Sequence, residues 1–253
     1  MSKILTIGVL GGMGPEATNK LCELITANTV VSRDQDHIPV ITYNNSRIPE
    51  RVAAVRDGNA PSPVPEMSRT ARVLERAGAD LLLLPCNLAH FFIADVQASV
   101  RVPILNMIEE TVNFTAEHYP QCRRVGLLAS TPTIECGIYE RAFGRHGTEV
   151  LAPGVADQAQ KVMEAIYGSE GIKCGHKTGP RRLLQEAAEQ LAARGAEVII
   201  AGCTEVSLVL KSREDSPLDV IDPLEISARV AVAHARQGAM RSVRHEAAAS
   251  ANS

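Results

Sequence analysis

Cys86 and Cys203 are the residues best placed to do chemistry, because their settings nearly repeat. Residues 78–87 (GADLLLLPCN) and 195–204 (GAEVIIAGCT) each run from Gly-Ala-acid through a short apolar stretch to a cysteine and a small polar residue. The two cysteines lie 117 positions apart, and each is eight residues past its glycine. A thiol near a helix N-terminus is expected to titrate below its reference value of about 8.5, since the backbone N–H groups there favour an anion. One thiolate and one thiol on opposite sides of a carbon acid form a two-base proton-transfer pair. The first sulfur removes the α-proton of an amino acid, the second returns a proton to the other face, and the carbon is inverted.

Such a pair needs two equivalent supports. An apolar run that ends in a cap-type residue before a new helix predicts a buried parallel strand feeding a strand-to-helix turn, and ligands gather at the carboxyl ends of such strands. Three further segments recur in the same order. Residues 7–11 (IGVLG) resemble 125–129 (VGLLA), offset by 118, and 102–106 (VPILN) resemble 218–222 (LDVID), offset by 116. Residues 38–41 (IPVI) lead into a loop much as 149–152 (EVLA) do, offset by about 110. An ordered set at nearly constant offset marks an internal duplication. The fold class expected is α/β: two similar three-layer α/β/α domains, each with a four-stranded, mainly parallel sheet, and the active site in the cleft between them. The first domain is assigned to 1–113 plus a returning helix at 223–240, the second to 114–222, and 241–253 to a flexible tail.

Helical spacing over 68–77 places Thr70, Ala71, Leu74 and Ala77 on one face, and a second helix covers 183–193. Gly78 and Gly195 follow them as left-handed caps. The proline-rich segment 58–65 and the segment 168–180 read as loops on the site side, lids or plain connectors.

Composition narrows the function classes. Among 253 residues, 45% are apolar and 22% charged, an ordinary globular balance. The net charge of −3, without a Lys/Arg block, argues against nucleic acid or a membrane surface as partner. No apolar run reaches the roughly 18 residues of a membrane span, and the N-terminus lacks a secretory apolar region, which predicts a cytoplasmic protein with reduced thiols. Six cysteines without a CxxC pair give no zinc signature, so no metal is expected and Cys22, Cys122, Cys136 and Cys174 are read as structural. The turn 11–14 (GGMG) lacks a full dinucleotide or P-loop pattern; it serves either the backbone or a substrate. His90, one helical turn past Cys86, either tunes the thiol or is a satisfied helix histidine, and no catalytic role is assigned to it. Asp34 and Asp36 read as a solvated capping loop rather than a carboxylate dyad.

Residues 7–16 (IGVLGGMGPE), 33–39 (RDQDHIP), 48–51 (IPER), 85–90 (PCNLAH) and 202–205 (GCTE) resemble the pyridoxal-phosphate-independent aspartate/glutamate racemase family, most of all its aspartate racemase branch. Weaker matches are 125–130 with Thr133, and 220–223 (VIDP). The resemblance implies two α/β domains with the active site between them, a final helix returning to the first, and usually a homodimer. It also implies cofactor-independent inversion of an acidic amino acid, aspartate ahead of glutamate, with Cys86 and Cys203 as opposing acid and base. By the same resemblance Met13 lines the amino-acid site, and Asn87 and Thr204 hold the α-amino and α-carboxylate groups. Arg51 and Lys161 would recognise the side-chain carboxylate, and they are also related by the 110-residue offset of the repeat. Glu50 is placed to orient Arg51, and Glu205 to cap its helix or hydrogen-bond near Cys203. One position departs from the pattern: Leu88 stands where the family usually has Thr, which removes a hydroxyl donor and bears on substrate choice. The alternatives are a related hydantoin racemase, maleate isomerase or decarboxylase, or an acidic amino-acid binding protein without turnover.

Overall fold

A computed structural model describes residues 4–57, 59–211 and 215–237. The expected tail at 241–253, and the last three residues expected for the returning helix, lie outside them.

The first half opens with β1 (Ile7–Gly11), buried along its whole length, then α1 (Pro15–Asn28) and β2 (Val40–Asn44). There follow α2 (Arg51–Arg56), α3 (Val64–Arg76), β3 (Leu81–Leu83), α4 (Ile93–Gln97) and α5 (Met107–His118). The second half runs β4 (Arg124–Leu127), α6 (Thr131–Glu135), α7 (Ile138–Gly144) and β5 (Glu149–Leu151). Next come α8 (Val155–Asp157), a π-helical stretch (Gln158–Met163), α9 (Glu164–Tyr167) and α10 (Thr178–Ala193). β6 (Val198–Ile200), α11 (Thr204–Ser207), β7 (Val220–Ile221) and α12 (Pro223–Gln237) complete the order.

The strand orders are β2-β1-β3 and β5-β4-β6-β7, with every pairing parallel. The repeat seen in the sequence therefore survives as topology. Ile7 pairs with Val40 and Leu81, and Val125 pairs with Val150 and Val198. Each sheet is covered on both faces. Leu10 and Leu82 pack with Met67, Ala71 and Leu74 of α3 on one side, and Ile7, Val9 and Leu83 with α1 and α12 on the other. In the second half Ile199 packs with Leu184 and Leu191 of α10, and Val125 and Ile200 with Tyr139 and Phe143 of α7. Ile108 and Val112 of α5 and Ile226 of α12 join that last cluster, so two helices tie the halves together.

The first sheet differs from the expected four strands. Its fourth member is a single bridge, Leu82 to Ile104. Pro103 lacks an N–H, and Asn106 already caps α5 by accepting from the N–H groups of Ile108 and Glu109, so little chain is left between them to extend the ladder. The equivalent β7 is two residues long, and Asp222 follows it with its carboxylate accepting from the Leu224 N–H. The helix expected over 68–77 begins earlier, at Val64, and Ala77 is exposed past its end. Gly78 and Gly195 adopt φ of 99° and 92°, the left-handed caps expected.

The glycine turn after β1 has a structural cause. Gly12 has φ of 97°, and a Cβ there would lie 2.2 Å from the Asn45 carbonyl. Its N–H is taken by Thr18 Oγ1 at 3.0 Å. Gly12→Ala is expected to cost roughly 3 kcal/mol, lowering the thermal midpoint by about 6–12 °C. An unchanged midpoint would show that this close approach does not constrain the turn.

Candidate active site

The turns that follow β1, β3, β4 and β6 converge on one cleft. Met13, Cys86, Asn87 and Leu88 line it from the first half, with Glu50, Arg51 and Val52 from the start of α2. Ser130, Thr133, Tyr167 and Lys173 line it from the second half, with the run 202–205. Both thiols thus border the same space. The open space between them is small, about 30 Å³.

Cys203 has extended backbone and precedes the four-residue α11; Cys86 precedes a 3₁₀ turn at Leu88–Phe92. Neither is followed by a long helix, and the expected lowering of the thiol is reversed at Cys203. Burial pushes the Cys203 thiol well up, and the neighbouring Glu205 carboxylate adds to the rise. The thiol donates to Glu205 Oε2 at 2.9 Å. Glu205 is itself buried, which alone would raise its carboxyl, yet it is held below the ordinary range by Lys173 and by the Cys203 thiol. Lys173 Nζ contacts Glu205 Oε1 and lies 5.3 Å from the centre of the Tyr167 ring. Burial pulls the Lys173 ammonium down, but the carboxylate outweighs it and the net direction is up. The result is a chain from Lys173 through Glu205 to the Cys203 proton. Thr204 Oγ1 donates to the same Oε2 at 3.3 Å.

On the first side, His90 is a satisfied histidine. The Met107 N–H donates to Nε2 at 3.1 Å, so that nitrogen carries no proton, and Nδ1–H donates to the Cys86 carbonyl at 2.9 Å. Burial lowers its pKa to about 4, which keeps the ring neutral as a brace for the Cys86 turn. Arg51 donates to the carbonyls of Pro49 at 3.1 Å and Met13 at 3.2 Å, and its Nε is buried without a partner. Backbone carbonyls orient it, and the expected role of Glu50 is corrected: its carboxylate caps α2, accepting from the Ala53 N–H at 2.6 Å. Thr133 Oγ1 lies 2.9 Å from Ser130 Oγ, both buried.

Lys161 is the second correction. It sits on the π-helical stretch outside the cleft lining, drawn to Asp157 at 3.4 Å and Glu186 at 3.3 Å. The repeat offset carries over for the strands but not for the connection after β5, which holds α8, the π stretch and α9 where the first half has α2. Lys173 supplies the second cation, from the turn Ile172–Cys174 inside the segment expected as a loop. Two lysines between glycines in a site-side loop, Lys173 and Lys177, were the only sign of it in the sequence, and nothing there distinguished the one that reaches the cleft. Tyr167 and Val52 carried no such sign.

The sequence profile of the Asp/Glu/hydantoin racemase family matches residues 10–231. The chain belongs to this family. It is an enzyme of the amino-acid racemase class, as its relatives are. It is similar to the broad specificity amino-acid racemase RacX of Bacillus subtilis, 29% identical over 224 residues that cover 85% of this chain and 92% of the relative. Among solved structures it resembles the Picrophilus torridus aspartate racemase, with a TM-score of 0.79, 26% identity, and coverage of 92% and 94% of the two chains. The Francisella tularensis glutamate racemase in complex with D-glutamate shares the fold at a TM-score of 0.66, with 16% identity and coverage of 93% and 82%. Ion pairs that join the racemase's halves include Arg56 with Glu135 at 2.9 Å, Lys177 with Glu16 at 2.7 Å and Arg145 with Glu109 at 2.5 Å. Being exposed, they contribute little to stability. Among the described residues no cluster of three or more His, Cys, Asp or Glu side chains has a metal-holding arrangement, and no helix is long and apolar enough to cross a membrane.

In this racemase the Cys203 thiol is expected to react with an alkylating agent more slowly at neutral pH than an ordinary thiol, because burial and the Glu205 carboxylate hold its proton. Glu205→Gln removes the like charge and leaves Lys173 unneutralised; both favour the thiolate, so the midpoint of alkylation against pH should fall. Mass-spectrometric rates at Cys203 across pH read this directly, and an unchanged midpoint would exclude the carboxylate as a cause.

Proposed function

We propose that the protein is a cofactor-independent amino-acid racemase in which Cys86 and Cys203 act as opposing acid and base on the α-carbon. The observation that carries this reading is the opening of both thiols onto one cleft from equivalent strand ends of a duplicated fold. In the resting form Cys203 holds its proton against Glu205, which suits it to return a proton while Cys86 removes one. In the opposite direction the Cys203 thiolate left by that transfer is the base, and the Cys86 thiol returns the proton. Asn87 and Thr204 hold the α-substituents.

An acidic amino acid, aspartate first and glutamate second, is the substrate this reading favours. Arg51 and Lys173 in the cleft lining support it, as does the likeness to an aspartate racemase. A second reading, a wider range of side chains, is favoured by the wall of Val52, Leu88 and Tyr167, with Leu88 in place of the usual hydroxyl. The broad-specificity relative agrees with it. All six cysteines are unpaired, which supports a reducing, cytoplasmic setting.

The test is chiral chromatography after incubation with a panel of L- and D-amino acids. Inversion of at least one is expected, led by aspartate, and Cys86→Ser or Cys203→Ser should each lower its rate by about 10³-fold. No inversion of any amino acid would overturn the proposal; inversion led by a neutral or basic amino acid would favour the second reading.

A further inference from the structure

Tyr139 links the two cysteine turns and is absent from the machinery described above. It lies on α7 in the second half and is fully buried. Its hydroxyl donates to Oδ1 of Asn87, in the first half, at 2.5 Å. Asn87 directly follows Cys86, lines the cleft and is only 3% exposed. A carboxamide has one acceptor end and one donor end. Tyr139 occupies the acceptor end, and the amide nitrogen at the other end is buried with no partner.

Buried donors are nearly always paired, because leaving one unmade forfeits its hydration without return. An orphaned NH₂ in a site lining beside a thiol is therefore a donor waiting for an acceptor on the ligand. The opposite side of Tyr139 meets the second thiol's turn. A Cβ at Gly202, one residue before Cys203, would lie 3.3 Å from Tyr139 Cε2, so the ring packs directly against that turn. Burial, then the nearby Asp222 and Cys203, keep the phenol protonated and hence a donor.

We propose that Tyr139 is a positioning residue that locks the Asn87 carboxamide with its NH₂ toward the cleft, where it donates to a carboxylate oxygen of the bound amino acid. The proposal rests on the racemase reading for its ligand, but its geometry does not require turnover. Tyr139 thereby couples substrate capture on the Cys86 side to the seating of the Cys203 turn.

Tyr139→Phe keeps the ring and its contact with Gly202 and removes only the hydroxyl. For whichever amino acid the panel identifies, KM is expected to rise about tenfold, while kcat changes much less. Asn87→Ala should raise KM by at least as much, and adding Tyr139→Phe to it should have no further effect, because the hydroxyl acts through that amide. An unchanged KM in Tyr139→Phe, or fully additive effects in the double variant, would overturn the proposal. A second readout is independent of activity. In the full chain labelled with ¹⁵N-asparagine, the side-chain NH₂ pair that vanishes in Asn87→Ala should shift and broaden in Tyr139→Phe as the amide loses its fixed orientation. An unmoved pair contradicts the positioning role, whereas a moved pair in a protein that inverts no amino acid sustains it and sinks the racemase reading alone.

Discussion

A parallel sheet sends all its strands' carboxyl ends to one edge, and that constraint governs this molecule. Each half can present only one row of turns to a ligand, and the two rows meet. β3 and β6 occupy the same place in their sheets, next to β1 and β4, so the turns after them arrive at the cleft in equivalent frames. The cysteines sit on those two turns. Helices α5 and α12 pack across both halves and keep the rows opposed. The proposed chemistry requires two sulfurs on opposite sides of one carbon, and a duplicated parallel unit docked along its strand ends brings both cysteine turns to one cleft without any special backbone at the thiols themselves.

Within the cleft, electrostatics are set by burial more than by helix ends. Helices that follow the cysteines are too short to sum many peptide dipoles, and α11 is a single turn. What governs Cys203 is burial, reinforced by a carboxylate two residues on that Lys173 keeps ionised. A buried carboxylate without a cation would take up a proton, and the thiol would then face a neutral acid. Lys173 prevents this. The consequence is a thiol that holds its proton firmly, which in the proposed reaction suits it to protonate the α-carbon.

Much of this was legible in the sequence because the features that survive in sequence are those the core enforces. Strands β1, β3 and β6, and all of β4 but Arg124, are buried on both faces, so their apolar runs and spacing persist in both halves; the repeat offsets of 116 to 118 became real registers. The cysteines were found because their frames repeat as well. What was missed depends on connections. Arg51 and Lys161 share an offset, but the segment after β5 folds as α8 and a π stretch, and Lys161 turns to Asp157 and Glu186. The fourth strand of the first sheet shrank because Pro103 and the cap at Asn106 compete with the ladder. Lys173 and Tyr139 reach the site or its turns from remote loops and helices, and no local spacing announces a contact made across 32 or 52 residues. The direction of the Cys203 titration followed from the depth of the thiol and the rotamer of Glu205, neither of which a linear pattern carries.

The claim at the centre of the account is that each thiol serves one face of the α-carbon. α-Proton exchange in D₂O, followed by NMR on each pure enantiomer with Cys86→Ser and Cys203→Ser, tests it most directly. Each variant keeps one sulfur, so each should exchange the α-proton of one enantiomer without inverting it, and the two variants should choose opposite enantiomers. Exchange of the same enantiomer by both, or continued inversion by either at the parent rate, would contradict the account.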